Sequence, residues 1–107
     1  MTSRDAGPAR HERPEIDELA LAAARDADRL LAAARGGPPR WEAFLEPIPA
    51  LLRDAGLADL SRVARRARAA YGPKDSIRDA LPAELTEPFL VGLDRLLSAL
   101  AREEMAR

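Results

Sequence analysis

The stretch Pro14-Glu15-Ile16-Asp17-Glu18-Leu19-Ala20-Leu21-Ala22-Ala23-Ala24-Arg25-Asp26-Ala27-Asp28-Arg29-Leu30-Leu31-Ala32-Ala33-Ala34 decides the fold. Pro14 stands where helices commonly begin. Glu15, Asp17 and Glu18 follow in the first turn, where carboxylates complement the positive end of the helix dipole. Ile16, Leu19, Ala20, Ala23, Ala27, Leu30, Leu31 and Ala34 recur at helical spacing. At about 100° per residue they fall within an arc of about 120° that holds no charge. The pattern predicts one long amphipathic helix whose small buried residues let a neighbouring backbone come close. Gly36-Gly37-Pro38-Pro39 stops it.

Downstream, the same alphabet repeats. Trp41, Phe44, Leu45, Ile48, Leu51, Leu52 and Ala55 lie on one face of a second helix that contains Pro47 and Pro49. A mid-helix proline costs roughly 3 kcal/mol by removing a hydrogen bond and crowding the preceding turn. The apolar stripe passes both prolines in phase, so the expectation is a kinked helix. Gly56 is read as its terminator, in the left-handed conformation. Asp59 is read as the cap of a third helix that buries Leu60, Val63, Ala64, Ala67, Ala70 and Tyr71. Gly72 and Pro73 end it. Ser76 with Asp79 fits a capping box opening a short helix that Pro82 closes. Thr86 is read as the cap of the last helix, with Pro88 in its first turn and Leu85, Phe89, Leu93, Leu96, Leu97 and Leu100 as its seam. No stretch alternates as a strand does. The expected architecture is all-α: a compact bundle of four main helices plus one short one over residues 14–107, preceded by a disordered tail over 1–13.

With 107 residues, 47% of them hydrophobic and 33% charged, the chain supports one core and one domain. Seventeen basic against eighteen acidic side chains leave a net charge of −1, so no global field draws it to nucleic acid or anionic lipid. The absence of cysteine excludes disulfides, thiolate metal sites and a cysteine nucleophile. No segment approaches membrane-spanning length and the start lacks a signal-peptide core, so the expected location is the cytoplasm. Sixteen Arg against the single Lys74, with abundant Ala, Gly and Pro, fits a GC-rich bacterial coding bias.

Catalytic inventory is thin. His11, the only histidine, lies in the tail without the partners a metal needs, and no Ser-His-Asp set exists in the folded part. Neither a metal nor a cofactor is expected. Asp26 and Asp28 lie among Arg25 and Arg29 and read as surface ion pairs. Asp75 and Asp79 flank Ser76, where capping and dipole compensation account for them; acid–base chemistry at that pair is the enzymatic alternative.

Two features point outward. On the third helix Arg62, Arg65 and Arg66 share the arc opposite Leu60 and Ala67, a row of guanidinium groups fit to be solvated or to meet an acidic protein or nucleic-acid phosphates. Only Ser61 accompanies them as a base-edge donor. The other feature is the junction Tyr71-Gly72-Pro73-Lys74-Asp75-Ser76-Ile77-Arg78-Asp79, where the residue types change abruptly. Leu21 and Leu90, at the stripe edges, mark a surface for self-association.

With Trp41 upstream, this junction resembles a pattern in a family of small all-helical bacterial proteins, a domain of unknown function. That family carries a Trp followed by Tyr-Gly-Gly-Met-Gly-Ser-apolar-Asn-Asp. Tyr71, Gly72, Ser76, Ile77 and Asp79 match; Pro73, Lys74, Asp75 and Arg78 depart, and the glycine-rich character is lost. The resemblance implies no catalytic residue and an accessory, immunity- or antitoxin-like role. The sequence therefore reads as a non-enzymatic protein–protein interaction module. Its candidate contact residues are Lys74, Asp75, Arg78 and Asp79 with Arg62, Arg65 and Arg66; the alternative is a nucleic-acid-binding regulator using the third helix.

Overall fold

In the computed structural model, residues 9–106 are described, and among them there is no strand. Six α-helices follow in order: α1 (Pro14–Ala34), α2 (Pro39–Leu45), α3 (Ile48–Asp54), α4 (Leu57–Arg68), α5 (Ile77–Ala80) and α6 (Ala83–Ala106). Short 3-10 turns cover Arg10–Glu12 and Ala69–Tyr71. α1 packs on α6 and α3, and α4 packs on the same two, which closes a ring of four helical rods. The all-α bundle read from the sequence is the architecture observed.

α1 and α6 run antiparallel. Glu15 meets Arg102 at one end, and Gly92 lies against Ala23 and Asp26 nearer the other. Ala20, Ala23, Ala24, Ala27 and Ala34 are fully buried with Leu30, so the Ala-rich stripe is the seam along which the bundle closes. Leu45, Ile48, Leu52, Leu60, Ile77, Phe89, Leu93 and Leu96 complete the core, each with no exposure. Trp41 is buried with its ring edge-on to Phe44 at 5.7 Å, and the Arg40 guanidinium lies 4.6 Å from the indole centroid. The long axis of 45 Å, twice the other dimensions, follows from the 24 residues of α6.

The proline-bearing helix is kinked as expected. α2 and α3 are separate hydrogen-bonded segments, but Glu46 and Pro47 between them keep right-handed helical dihedrals. Pro47 and Pro49 bring no N–H, so the ladder breaks there while the path and the apolar phase continue.

Several local expectations are corrected. Gly56 is extended (φ −66°), and it is Gly36 that takes a left-handed φ of 82°, after α1. Gly56 rather than Asp59 is the N-cap of α4, so Asp59 sits inside the first turn, where it pairs with Arg62. Thr86 caps nothing. The Pro82 carbonyl accepts the Leu85 and Thr86 amides, starting α6 at Ala83 and leaving Thr86 fully buried and Pro88 inside the helix.

The expected tail over 1–13 lies outside the described residues for its first eight positions. Within it, Arg10 is largely buried: it donates to the Asp17 carboxylate (2.5 Å) and to the Ala55 carbonyl at the end of α3 (2.9 Å). Arg13 donates to Glu103 at 2.8 Å, which ties the start of α1 to the end of α6.

Candidate functional site

The end of α4 explains why the junction has its unusual composition. The 3-10 turn after Arg68 swings Tyr71 inward, where its hydroxyl donates to the backbone carbonyl of Thr86 at 2.5 Å. Burial chiefly, and then the negative charge of Glu87, push the phenol well above its ordinary range; Arg78 and Arg68 pull the other way. The chain then crosses Gly72–Asp75 and re-enters a helix at Ser76, whose Oγ accepts the Arg78 amide at 3.1 Å. Ser76 and Ile77 are both buried, so this short helix is anchored by a cap on one side and an apolar plug on the other. Ser76 is the expected cap, but its hydroxyl takes the second amide of the helix rather than the third, which a capping box would use. Among the described residues Asp79 makes no return bond to the Ser76 amide, and α5 ends one residue later.

Arg78 is turned back onto the body. Its Nε and Nη2 donate to the two oxygens of Glu87 at 2.9 and 2.8 Å, a bidentate pair, and its guanidinium lies 5.6 Å from the Tyr71 ring centroid. Thr86 Oγ1 donates to the same Glu87 carboxylate at 3.0 Å. The hydrogen bonds from Arg78 first, and from Thr86, hold the Glu87 carboxyl below its usual range. Arg68, 5.8 Å from the same ring centroid, donates to Asp94 of α6 at 2.9 Å. Tyr71 thus has two arginines close to its ring, each neutralised by an acid of α6.

The seven residues read as a contact surface therefore divide. Arg78 is committed to Glu87 and Tyr71. Lys74, Asp75 and Asp79 are exposed, and Asp75 holds a left-handed φ of 52°. Arg62, Arg65 and Arg66 are exposed together on the outer face of α4. Arg62 leans on Asp59 at 3.3 Å with the pair largely in solvent, whereas Arg65 and Arg66 have no ion-pair partner among the described residues. The larger surface depressions, two between α1 and α6 and one on α1, are lined by none of the seven.

Glu87 and Asp94 were not singled out in the sequence and Thr86 was read as a cap, yet with Arg68 these residues are what fixes the junction. No local spacing links Arg78 to Glu87, because the pair joins two helices. Arg68 did carry a signal: on the helical wheel it stands about 40° from Ala64, at the edge of the buried stripe and apart from the outward row.

Among the described residues no cluster of His, Asp or Glu is arranged to hold a metal ion, and no helix is long and apolar enough to cross a membrane. His11 is exposed in the first 3-10 turn. No protein-family model, curated protein or solved structure matches the chain.

Proposed function

We propose that this chain is a non-enzymatic interaction module that docks an acidic protein surface onto the outer face of α4. One observation carries the reading: among the described residues most arginines have acidic or aromatic partners, whereas Arg65 and Arg66 have none and stand beside the largely exposed Arg62. Unpaired guanidinium groups on a rigid helix present forked donors at fixed spacing, and a carboxylate-bearing partner satisfies them bidentately. Lys74 adds a cation beyond the end of the same helix. The Tyr71 cluster supports the rigidity, since Arg78, Glu87 and Thr86 lock the segment that follows the row.

The choice of protein over nucleic acid rests on what surrounds the row. Ser61 is half-buried, and the face offers no amide side chain to read a base edge. A non-enzymatic role is supported by the fate of the groups whose protonation the fold shifts: the Tyr71 hydroxyl is spent on a backbone carbonyl, and Glu87 is held by Arg78. Asp75 and Asp79, the pair available for acid–base work, are open to solvent. The family resemblance gains support from Asp75. The glycine that closes the family's Gly-Met-Gly run falls at this position, and here the backbone is left-handed. The accessory or immunity-like role implied by that resemblance is the biological context we propose.

The test is affinity capture from the native host with the wild-type chain and an Arg65→Glu/Arg66→Glu double variant, followed by titration with the captured protein. An acidic protein retained by the wild type and lost by the variant supports the reading. Equal retention by both overturns it. Binding of nucleic acid that weakens steeply with salt and disappears in the variant would transfer the face to the alternative reading.

A further inference from the structure

We infer that the outer side of the α1–α6 pair is a self-association face, and that its occupant is a second copy of this chain. Three adjoining depressions share Leu19: two of about 460 and 470 Å³ lie between α1 and α6, and one of about 490 Å³ lies on the neighbouring surface of α1. Their apolar lining is Leu19, Leu21, Ala22, Pro88 and Val91. Val91 is 48% exposed, one of few large apolar side chains so open. The strip on α6 runs Glu84, Pro88, Val91, Arg95, Ser98, Arg102, and that on α1 runs Glu15, Leu19, Ala22, Asp26. These alternate steps of four and three are the spacing by which near-parallel helices mesh.

Charge selects the occupant. On α6 the outer strip runs from acidic to basic along the chain, Glu84 and Glu87 before Arg95 and Arg102. On α1 Glu15 and Glu18 precede Arg25, while Asp26 and Asp94, which also line the face, are paired within the chain with Arg29 and Arg68. The helix dipole accounts for charges in the first and last turns, but its effect fades within a turn. Arg25 and Arg95 lie near the middle of their helices, and both lack an ion-pair partner among the described residues. An acidic-to-basic strip is complementary to itself when laid antiparallel. A twofold axis parallel to the helices places α1 of one copy antiparallel on α6 of the other. Leu19, Ala22, Val91 and Pro88 then stack on their own twins along the axis. Arg25 meets the acidic half of the opposing α6, and the Glu15–Arg102 pair, 3.3 Å apart in one chain, closes with its twin into a ring of four alternating charges.

The area suffices. At 1.5 Å per residue the 21 and 24 residues of α1 and α6 extend about 31 and 36 Å, so the two-helix face is about 30 Å by 20 Å. Two such faces bury roughly 1,200 Å², the lower bound of stable interfaces. The apolar centre with a charged rim matches the anatomy of such interfaces.

The test is a charge exchange read by sedimentation velocity. Wild-type protein must sediment as a dimer at high micromolar concentration. Glu15→Arg alone and Arg102→Glu alone must each be monomeric, because each puts four like charges into the ring. An equimolar mixture of the two must form a heterodimer, in which the two positive groups of one chain face the two negative groups of the other. Val91→Glu, at an exposed position outside the core, must raise the dissociation constant by at least about tenfold. A monomeric wild type, dimers that survive both charge reversals, or folded variants that fail to pair on mixing would each overturn the inference. Arg65→Glu/Arg66→Glu must leave the dimer intact, so this face and the α4 face stand or fall separately.

Discussion

Two groups of arginines lie within one stretch of chain and meet opposite fates. Arg68 and Arg78 flank Tyr71 and are neutralised by Asp94 and Glu87 of α6, which makes the end of α4 a knitted polar cluster over a buried ring. Arg62, Arg65 and Arg66, one or two turns earlier, face solvent. Residue type does not separate them. Position relative to α6 does: Arg68 stands at the stripe edge, where the neighbouring helix brings a carboxylate within reach, and the row stands on the opposite side, where it brings none. The knitted end serves the fold, and the open face remains available to a partner.

The largest expected effect is at the ring. Tyr71→Ala removes a buried aromatic together with its hydrogen bond and leaves a cavity at the meeting of α4, α5 and α6, a loss of about 3–5 kcal/mol in chemical denaturation. Arg65→Ala/Arg66→Ala in the same assay is expected within about 0.5 kcal/mol of wild type, because exposed side chains without partners contribute little. Comparable losses from the two variants would abolish the distinction drawn above.

Alkali probes the same ring. The folded phenol titrates above its ordinary value, so its contribution is complete below pH about 10 and is lost as pH rises through the interval up to the folded value. The slope over that interval is at most about 1.4 kcal/mol per pH unit. Tyr71→Phe is expected to abolish this alkaline loss while retaining the ring. An unchanged alkaline slope in that variant would place the sensitive group elsewhere.

Acid probes the other half of the cluster. The Glu87 carboxyl is held down by Arg78, so its stabilisation is present above the ordinary carboxylate range and disappears as pH falls through the lowered folded value. Glu87→Gln is therefore expected to lower the unfolding midpoint at neutral pH and to flatten its decline in acid. Wild-type and variant profiles that run parallel would show that the bidentate pair is formed but contributes nothing, as many exposed pairs do.

The helices themselves were legible because their signal is local and repeated. Eight apolar positions at 3.6-residue spacing define α1 whatever it packs against, and two prolines in phase with a stripe define a kink. The outward direction of Arg62, Arg65 and Arg66 was legible for the same reason. What could not be read was set by contacts between elements. Arg78 looked like an outward charge because its acid, Glu87, lies on another helix, and Thr86 looked like a cap because its burial depends on Tyr71 arriving from α4. Gly56 looked like a left-handed position by residue type. The backbone instead placed a left-handed turn at Asp75, which type alone would not select.

Asp75 lies on the boundary between the two regions, and its substitution gives the smallest effect and the sharpest division. At φ 52° a residue with a Cβ is strained by about 1–2 kcal/mol, less for Asp, which tolerates this region better than most. Glycine relieves that strain but adds freedom to the unfolded chain, so Asp75→Gly is expected to stabilise by only about 0.5 kcal/mol. Asp75→Val, with a branched Cβ in the same conformation, is expected to destabilise by more than about 1 kcal/mol. Both are measurable by urea unfolding, against wild type at the same pH. If Asp75→Gly instead weakens the fold, the carboxylate must hold the loop in place, and the boundary of the knitted cluster moves from Ser76 back to Asp75. If it stabilises as expected while binding at the α4 face is unaltered, the loop is a passive connector, and the structural work of the junction ends at the buried cap of Ser76.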